Sequence, residues 1–350
     1  MEPEFEKEDR FARQTRFAAL GQGGQDALGR SSVLLVGCGA LGGVLAQWLV
    51  RAGIGRIVIV DRDIVEETNL PRQVLFTAEH ARAGAPKALA AREVLAQVEG
   101  PTSIEAHAAH LDADLLLRLG ASVDLILDGT DNMATRYLIN DFSVARDIPW
   151  IYGGVVSSGG LILPVLAGRG PCLRCIFRDP PPPGMLPTCD TAGVIGPAVG
   201  VIASMQAGLA LRILSGNSAG LEPALLELDA WSGTVRRLTV PRADDCPTCG
   251  LRTFEFLDSS GSRTDAVSLC GRNTVQVMPQ REREPGSDPS LDAVEVQLRD
   301  AGLVVRRLGP LLRFEADGHR FTHFQDGRTL VEGTEDTGRA LSLVARWIGA

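Results

Sequence analysis

Three groups of residues have the types and spacing to do chemistry. The first is Gly37-Cys38-Gly39-Ala40-Leu41-Gly42, a G-x-G-x-x-G turn with Asp61 about 20 residues further on. In such a turn one glycine permits the tight bend, one lets a phosphate approach the backbone, and one lets helix and strand pack closely. The following helix start offers unpaired N–H groups and a partial positive charge, and Asp61 is placed to accept from ribose hydroxyls. The second group is Lys87, directly after Pro86, with Asp128 and Asp131 in Asp128-Gly129-Thr130-Asp131-Asn132. A lysine in the first turn of a helix opposes the dipole, and a phosphate would account for its place. Two carboxylates beyond the end of a strand can hold Mg²⁺, and Thr130 or Asp131 can equally cap the next helix. The third group is Cys172-x-x-Cys175 with Cys246-x-x-Cys249. Four thiolates can clamp one Zn²⁺ tetrahedrally, and a closed set of four protein ligands makes that metal structural. A redox pair or unrelated thiols are the alternatives, although neither pair has the strand–helix context of a thioredoxin-like site.

The elements around these residues follow from the apolar pattern. Val33 to Val36 is a β-branched-rich run suited to a strand buried on both faces. Leu41, Val44, Leu45, Trp48 and Leu49 recur at helical spacing until Gly53 and Gly55, and Ile57 to Val60 is a second strand ending on Asp61. Pro86-Lys87 opens a helix reaching Gln97, with Pro86 in its first turn. Ile104 to His107 and Val123 to Leu127 read as strands, and Ala113 to Leu119 and Met133 to Arg146 as helices. Strand patterns follow at Trp150 to Gly153, Leu161 to Leu166 and within Asp229 to Val240, and Val199 to Leu214 is an apolar helix. Between the cysteine pairs lies a proline-rich stretch, followed by Cys189, a candidate exposed thiol. The expected fold is α/β, a Rossmann-like doubly wound sheet spanning 1–255 with a zinc-tied C-terminal part. A small α+β appendage over 256–350 would follow a Ser259-Ser260-Gly261-Ser262 linker. Its pattern is a strand from Thr274, a helix from Leu291 to Gly302, short strands to Val331 and a last helix from Gly338 to Ile348. Asp317-Gly318 and Asp326-Gly327 are its hairpin turns, and Arg281 to Pro289 a charged loop.

The 350 residues, 45% of them hydrophobic, supply ample core. A formal net charge of -8 argues against nucleic acid or an anionic membrane surface as the main partner. No apolar run approaches the ~20 residues of a membrane span, and the acidic N-terminus lacks signal-peptide layout. The expected location is cytoplasmic, where the seven cysteines suit metal ligation or reactivity better than disulfides.

These motifs together resemble the ThiF/MoeB/HesA family, bacterial relatives of the ubiquitin-activating enzymes. The resemblance runs from about Arg10 to Gly250. It rests on RFARQ (10–14), VGCGALGG (36–43), the Asp61/Asp63 pair, NLPRQ (69–73), Pro86-Lys87, DGTDN (128–132), both C-x-x-C pairs and TCDTAG (188–193). The tail beginning Leu269-Cys270-Gly271-Arg272-Asn273 is similar to that of the longer thiazole-biosynthesis members. The resemblance implies ATP-dependent adenylation of the C-terminal Gly-Gly carboxylate of a ubiquitin-fold, ThiS-like sulfur-carrier protein, which a sulfur donor protein then converts to thiocarboxylate. It implies that Gly37, Gly39 and Gly42 shape the phosphate turn, that Asp61 holds the ribose, and that Asp63 and Thr130 belong to the nucleotide site. Asn69, Arg72 and Lys87 would contact phosphates, and Asp131 would assist Mg²⁺. Arg13 would reach the γ-phosphate of ATP in the neighbouring subunit, making a homodimer necessary. Cys189 matches a cysteine that some members link covalently to the carrier. One position departs: Pro71 stands where relatives commonly have Gln, so the local turn can differ while Arg72 keeps its place.

Two other readings compete: activation of a molybdopterin-type or other carrier, and an NAD-dependent oxidoreductase suggested by the glycine fingerprint alone. The cations Arg13, Arg72 and Lys87 suit a triphosphate better than a dinucleotide. Arg72, Lys87 and Asp131 together argue against a non-catalytic scaffold.

Overall fold

A computed structural model describes residues 9–166, 168–181, 189–258, 266–269, 273–278 and 290–349. Cys270, the 259–262 linker and the 281–289 loop lie outside the described residues. The chain divides into two compact units, Met1–Ser259 and Ser260–Ala350.

The first unit is built on an eight-stranded sheet: β1 (Ser32–Val36), β2 (Arg56–Val60), β3 (Ser103–His107), β4 (Leu125–Asp128), β5 (Trp150–Val156), β6 (Gly159–Val165), β7 (Leu225–Asp229) and β8 (Thr234–Leu238), in the order β3-β2-β1-β4-β5-β6-β7-β8. Pairing is parallel from β3 to β5 and antiparallel from β5 to β8. The helices are α1 (Ala12–Thr15), α2 (Gly21–Arg30), α3 (Ala40–Ala52), α4 (Ala78–Ala83), α5 (Lys87–Ala96), α6 (Ala113–Gly120), α7 (Met133–Arg146), α8 (Leu173–Ile176), α9 (Cys189–Ala192), α10 (Gly196–Leu214) and α11 (Glu255–Asp258). Alternation along β1 explains the layers. Val33 and Leu35 join one core with α3 and α10, while Leu34 and Val36 join the other with α6 and α7. The mixed Rossmann-like α/β architecture is the one the sequence predicts.

Local departures have local causes. Residues 21–30, given no element above, form a helix in which Leu28 and Gln25 are buried, with Gln25 Nε2 donating to the Ala52 carbonyl at 3.0 Å. Pro86 is the N-cap of α5 rather than its first helical residue. The cap of α7 is Asn132, whose Oδ1 accepts from the Thr135 N–H, and not Thr130 or Asp131. The hairpin before the second cysteine pair starts earlier than expected, at Leu225. The expectation that no apolar stretch nears membrane-spanning length is also corrected: α10 has 19 residues of suitable composition. It packs against α3, β5 and β6.

The second unit is an antiparallel sheet of β9 (Ala266–Leu269), β10 (Thr274–Val277), β11 (Arg306–Arg307), β12 (Leu311–Ala316), β13 (His319–Phe324) and β14 (Thr329–Glu332), ordered β11-β12-β13-β14-β10-β9. Helices α12 (Leu291–Asp300) and α13 (Thr337–Trp347) share its core through Val294, Leu298, Ala340 and Val344. Asp317 and Gly318 both have positive φ, 49° and 75°, as a two-residue hairpin turn requires.

Candidate nucleotide site and cysteine cluster

Strands β1 and β4 are neighbours, yet the chain runs outward from β1 to β3 on one side and from β4 onward on the other. Ligands of open α/β sheets sit beyond the carboxyl ends of the strands at such a switch point. The turns leaving β1 and β4 meet there backbone to backbone. A methyl group on Gly42 would fall on the Gly37 carbonyl oxygen, one on Gly37 would lie 2.7 Å from the Gly129 oxygen, and one on Gly129 would collide with the Gly37 oxygen. Gly37 also has a φ of +84°. Gly129 is therefore as necessary to the crevice as Gly37 and Gly42 of the motif. Gly42→Ala should abolish nucleotide binding while Gly23→Ala, in open space, should not; titration of both variants with ATP checks this.

Asp61 directly follows the neighbouring strand β2 and is almost fully buried. Its Oδ2 accepts from the Cys38 N–H at 2.6 Å, and its Oδ1 from the Asp63 N–H at 2.7 Å. A carboxylate offers about four acceptor positions, so capacity remains for ribose hydroxyls. Burial pushes this carboxyl above its ordinary value, against the pull of the Lys87 ammonium. Lys87 is only 4% exposed and its Nζ sits 3.1 Å from Asp63 Oδ2. Asp61, Asp63 and Lys87 thus form one charged group beside the glycine turn. Burial and the Asp61 charge raise the Cys38 thiol, which marks it as a packing residue.

The NLPRQ segment lies over the start of α3. Asn69 is buried, and its Oδ1 accepts from the Glu66 N–H at 3.1 Å. The Arg72 and Gln73 N–H groups both donate to the Asn69 carbonyl, so the turn closes around Pro71 without needing the N–H that proline lacks. Arg72 is half-buried and donates to the Thr68 carbonyl at 2.7 Å. Gln73, which sequence reasoning passed over, is 5% exposed with its Nε2 3.6 Å from where a Gly39 side chain would begin. Its Oε1 has no hydrogen-bond partner among the described residues.

The turn after β4 corrects the pairing of Asp128 with Asp131 at a metal. Asp128 has no exposed surface, and its Oδ2 accepts from Arg136 Nε at 2.8 Å. Its Oδ1 accepts from the Thr130 N–H and hydroxyl at 2.9 and 2.8 Å. Burial drives the Asp128 carboxyl upward and Arg136 opposes it. Arg136 also donates to the Thr130 and Gly153 carbonyls at 2.6 and 2.9 Å and lies over the Tyr152 ring. Asp128 is the buried anchor of the turn. Asp131 is left exposed.

Arg13 is not brought to this crevice. Its segment docks at the far end of α3, where the Phe11 ring lies on Gly53 and Gln14 Nε2 donates to the Ala52 carbonyl at 3.0 Å. Thirteen helical residues separate the two ends, roughly 20 Å at 1.5 Å per residue, further than an arginine reaches. Arg13 itself is exposed. Cys189 lies in the four-residue α9; just past it, the Gly193 carbonyl accepts from the N–H of Ser157, the residue after β5, at 2.8 Å.

The four cysteines converge although about seventy residues separate the pairs. Cys172 Sγ is 3.6 Å from Cys246 Sγ and Cys175 Sγ 3.4 Å from Cys249 Sγ, with all four sulfurs within 4.8 Å of one another. Tetrahedral thiolates at a Zn–S distance of ~2.3 Å would stand roughly 3.8 Å apart, so the donor set fits one zinc ion.

Comparison with known proteins agrees with this geometry. The ThiF family profile matches residues 11–248, from the RFARQ segment into the second cysteine pair. The chain is 39% identical to the sulfur carrier protein ThiS adenylyltransferase of Bacillus subtilis over 97% of its own length and 99% of that protein's. It is 41% identical to the sulfur carrier protein adenylyltransferase of Thermus thermophilus, over 70% of this chain and 92% of that one. Among solved structures, E. coli MccB with ATP superposes with a TM-score of 0.57 at 22% identity, covering 65% of this chain and 69% of MccB, a likeness of fold. With its glycine turn, crevice and paired cysteines all within or bordering the matched span, the chain belongs to the ThiF family.

Proposed function

We propose that this protein is an ATP-dependent adenylyltransferase that activates the C-terminal Gly-Gly carboxylate of a ThiS-like sulfur carrier for thiazole formation. The observation that carries the reading is the charged group of buried Asp61 and Lys87 with half-buried Asp63, beside an interlocked glycine turn. The near full-length similarity to the B. subtilis enzyme supports the same substrate class. A carboxylate attacking an α-phosphate meets a triphosphate already rich in negative charge, so the protein must align the reactants and neutralise the leaving pyrophosphate. In this reading Gly37, Gly39 and Gly42 admit the phosphates, Asp61 orients the ribose, and Asn69, Arg72 and Lys87 hold the phosphate oxygens. Mg²⁺, when bound beside Asp131, would offset phosphate charge. Zn²⁺ in the four cysteines would be structural. Cys189 would accept the activated carrier if a covalent step occurs, and a separate sulfur donor would complete the thiocarboxylate. A cytoplasmic setting suits such a reaction.

The distance between Arg13 and its own glycine turn supports a homodimer in which each Arg13 serves the partner's ATP. Arg13→Ala and Lys87→Ala, each inactive alone, should regain about a quarter of wild-type activity per total protein when mixed and allowed to exchange subunits, following the statistics of closed dimers. No recovery after verified exchange would count against action in trans. The function itself is tested by incubating the protein with ATP, Mg²⁺ and candidate carriers and weighing the carriers. The carrier substrate should gain one AMP, and absence of the adduct with every Gly-Gly carrier would overturn the proposal.

A further inference from the structure

Helix α7 belongs to both sites. Its first turn sets the nucleotide turn through the Asn132 cap and through Arg136, which holds Asp128 and the Thr130 carbonyl. Its next turns hold the cysteine pairs. The Tyr137 hydroxyl donates to the Phe177 carbonyl at 2.8 Å, just after the first pair. Asn140 Oδ1 accepts from the Leu173 N–H at 2.9 Å, between Cys172 and Cys175. Asp141 Oδ1 accepts from the Thr248 hydroxyl at 2.7 Å, between Cys246 and Cys249, and its Oδ2 from the Phe256 N–H at 3.0 Å. Asn140, Asp141 and Thr248 are all fully buried.

A buried carboxylate in mid-helix is tolerated only while its hydrogen bonds persist. Here one donor, Thr248, sits between two of the four converging sulfurs, so a metal that clamps them would also fix the partner of Asp141. With the sulfurs clamped, Asp141 is satisfied and the helix is fixed along its length. With the clamp released, Asp141 loses that partner and must reach water, so the helix must shift or fray. From Asn132 to Asp141 is roughly 14 Å of one rigid rod, at 1.5 Å per residue. Arg136 lies in that rod and holds the turn bearing Asp131.

We propose that Asn140 and Asp141 are positioning residues through which the four-cysteine metal centre and the nucleotide crevice are energetically coupled, with α7 as the shared element. The proposal rests on reading the crevice as an ATP site and the cysteines as a zinc centre. Coupling of binding is reciprocal: the factor by which zinc tightens ATP is the factor by which ATP tightens zinc, commonly about 5- to 150-fold.

The experiment uses the full-length, zinc-loaded protein. ATP affinity is measured for wild type, Asp141→Ala, Asp141→Asn and Leu28→Ala, at a temperature where circular dichroism shows each folded. Leu28→Ala empties a fully buried position in the core on the other face of the sheet and controls for general destabilisation. Zinc retention against a competing chelator is then measured with and without saturating Mg·ATP. Asp141→Ala should weaken ATP binding at least 5-fold, Asp141→Asn less, and Leu28→Ala under 2-fold. Mg·ATP should raise zinc retention in wild type and much less in Asp141→Ala. If Asp141→Ala does not fold, Asp141→Asn and the wild-type retention experiment decide alone. Equal ATP affinity in the Asp141 and Leu28 variants, or wild-type zinc retention indifferent to ATP, overturns the coupling. A wild type that binds no ATP overturns the functional reading instead, so the two failures are distinguishable.

Discussion

Lys87→Ala should lower carrier-dependent turnover by about 10²- to 10³-fold, the usual effect of removing one preorganised charge partner from a developing anion. The ammonium is buried against Asp63 and close enough to oppose the upward shift of Asp61, so the resting site has two carboxylates shared around one cation. Removing the cation leaves those carboxylates facing each other and facing the incoming phosphates. The loss should therefore appear both in ATP affinity and in the rate at saturating ATP. Lys87→Arg should recover only part of it, because the guanidinium is larger than the space the ammonium fills. Steady-state kinetics with ATP varied at fixed carrier separates the two components. Turnover within tenfold of wild type would show that the phosphates lie elsewhere.

Cys246→Ser should cost the protein its zinc and much of its stability together. Structural zinc supplies an apparent ~10–16 kcal/mol in small metal-folded domains, comparable to the whole stability of a typical domain. Even if only about 5 kcal/mol is lost here, a unit of this size should melt roughly 10–20 °C lower, at about 2–4 °C per kcal/mol. Cys246 is the ligand to change because it is fully buried, so no nearby water replaces its sulfur. Cys189→Ser, outside both C-x-x-C pairs in sequence, should keep both metal and melting temperature. Calorimetry and zinc analysis of the purified variants check the pair. A Cys246→Ser protein that melts like wild type without zinc would refute a structural metal.

The parts of the site that were legible in the sequence are those whose chemistry is local. The strand–turn–helix from Val33 to Ala52 and the acid closing β2 follow from apolar periodicity and three glycines, since each constraint acts between residues a few positions apart. The two C-x-x-C pairs were legible because a metal site needs four like ligands whatever their separation. What stayed hidden depends on contacts made only after folding. Asp128 and Asp131 are both acids in one turn, and only tertiary burial against Arg136 makes the first an anchor and leaves the second exposed. Gly129 looks like any turn glycine until Gly37 and Gly42 press against it. Gln73 is one more polar residue in a loop until the chain lays it beside Gly39. Residues 21–30, given no element from their sequence, form a helix in which Leu28 and Gln25 are buried. Asn140 and Asp141 read as the polar face of α7, whereas the cysteine loops bury both.

The central claim is that this crevice uses a nucleoside triphosphate to activate a protein carboxylate. Its most direct measurement is exchange of labelled pyrophosphate into ATP, with and without a Gly-Gly-terminated carrier, because reversal of adenylation requires the bound acyl-adenylate and nothing downstream. Label should enter ATP only when the carrier is present, and a carrier lacking its terminal glycine should give none. Carrier-independent exchange, or no exchange while the protein takes up NADH, would contradict it.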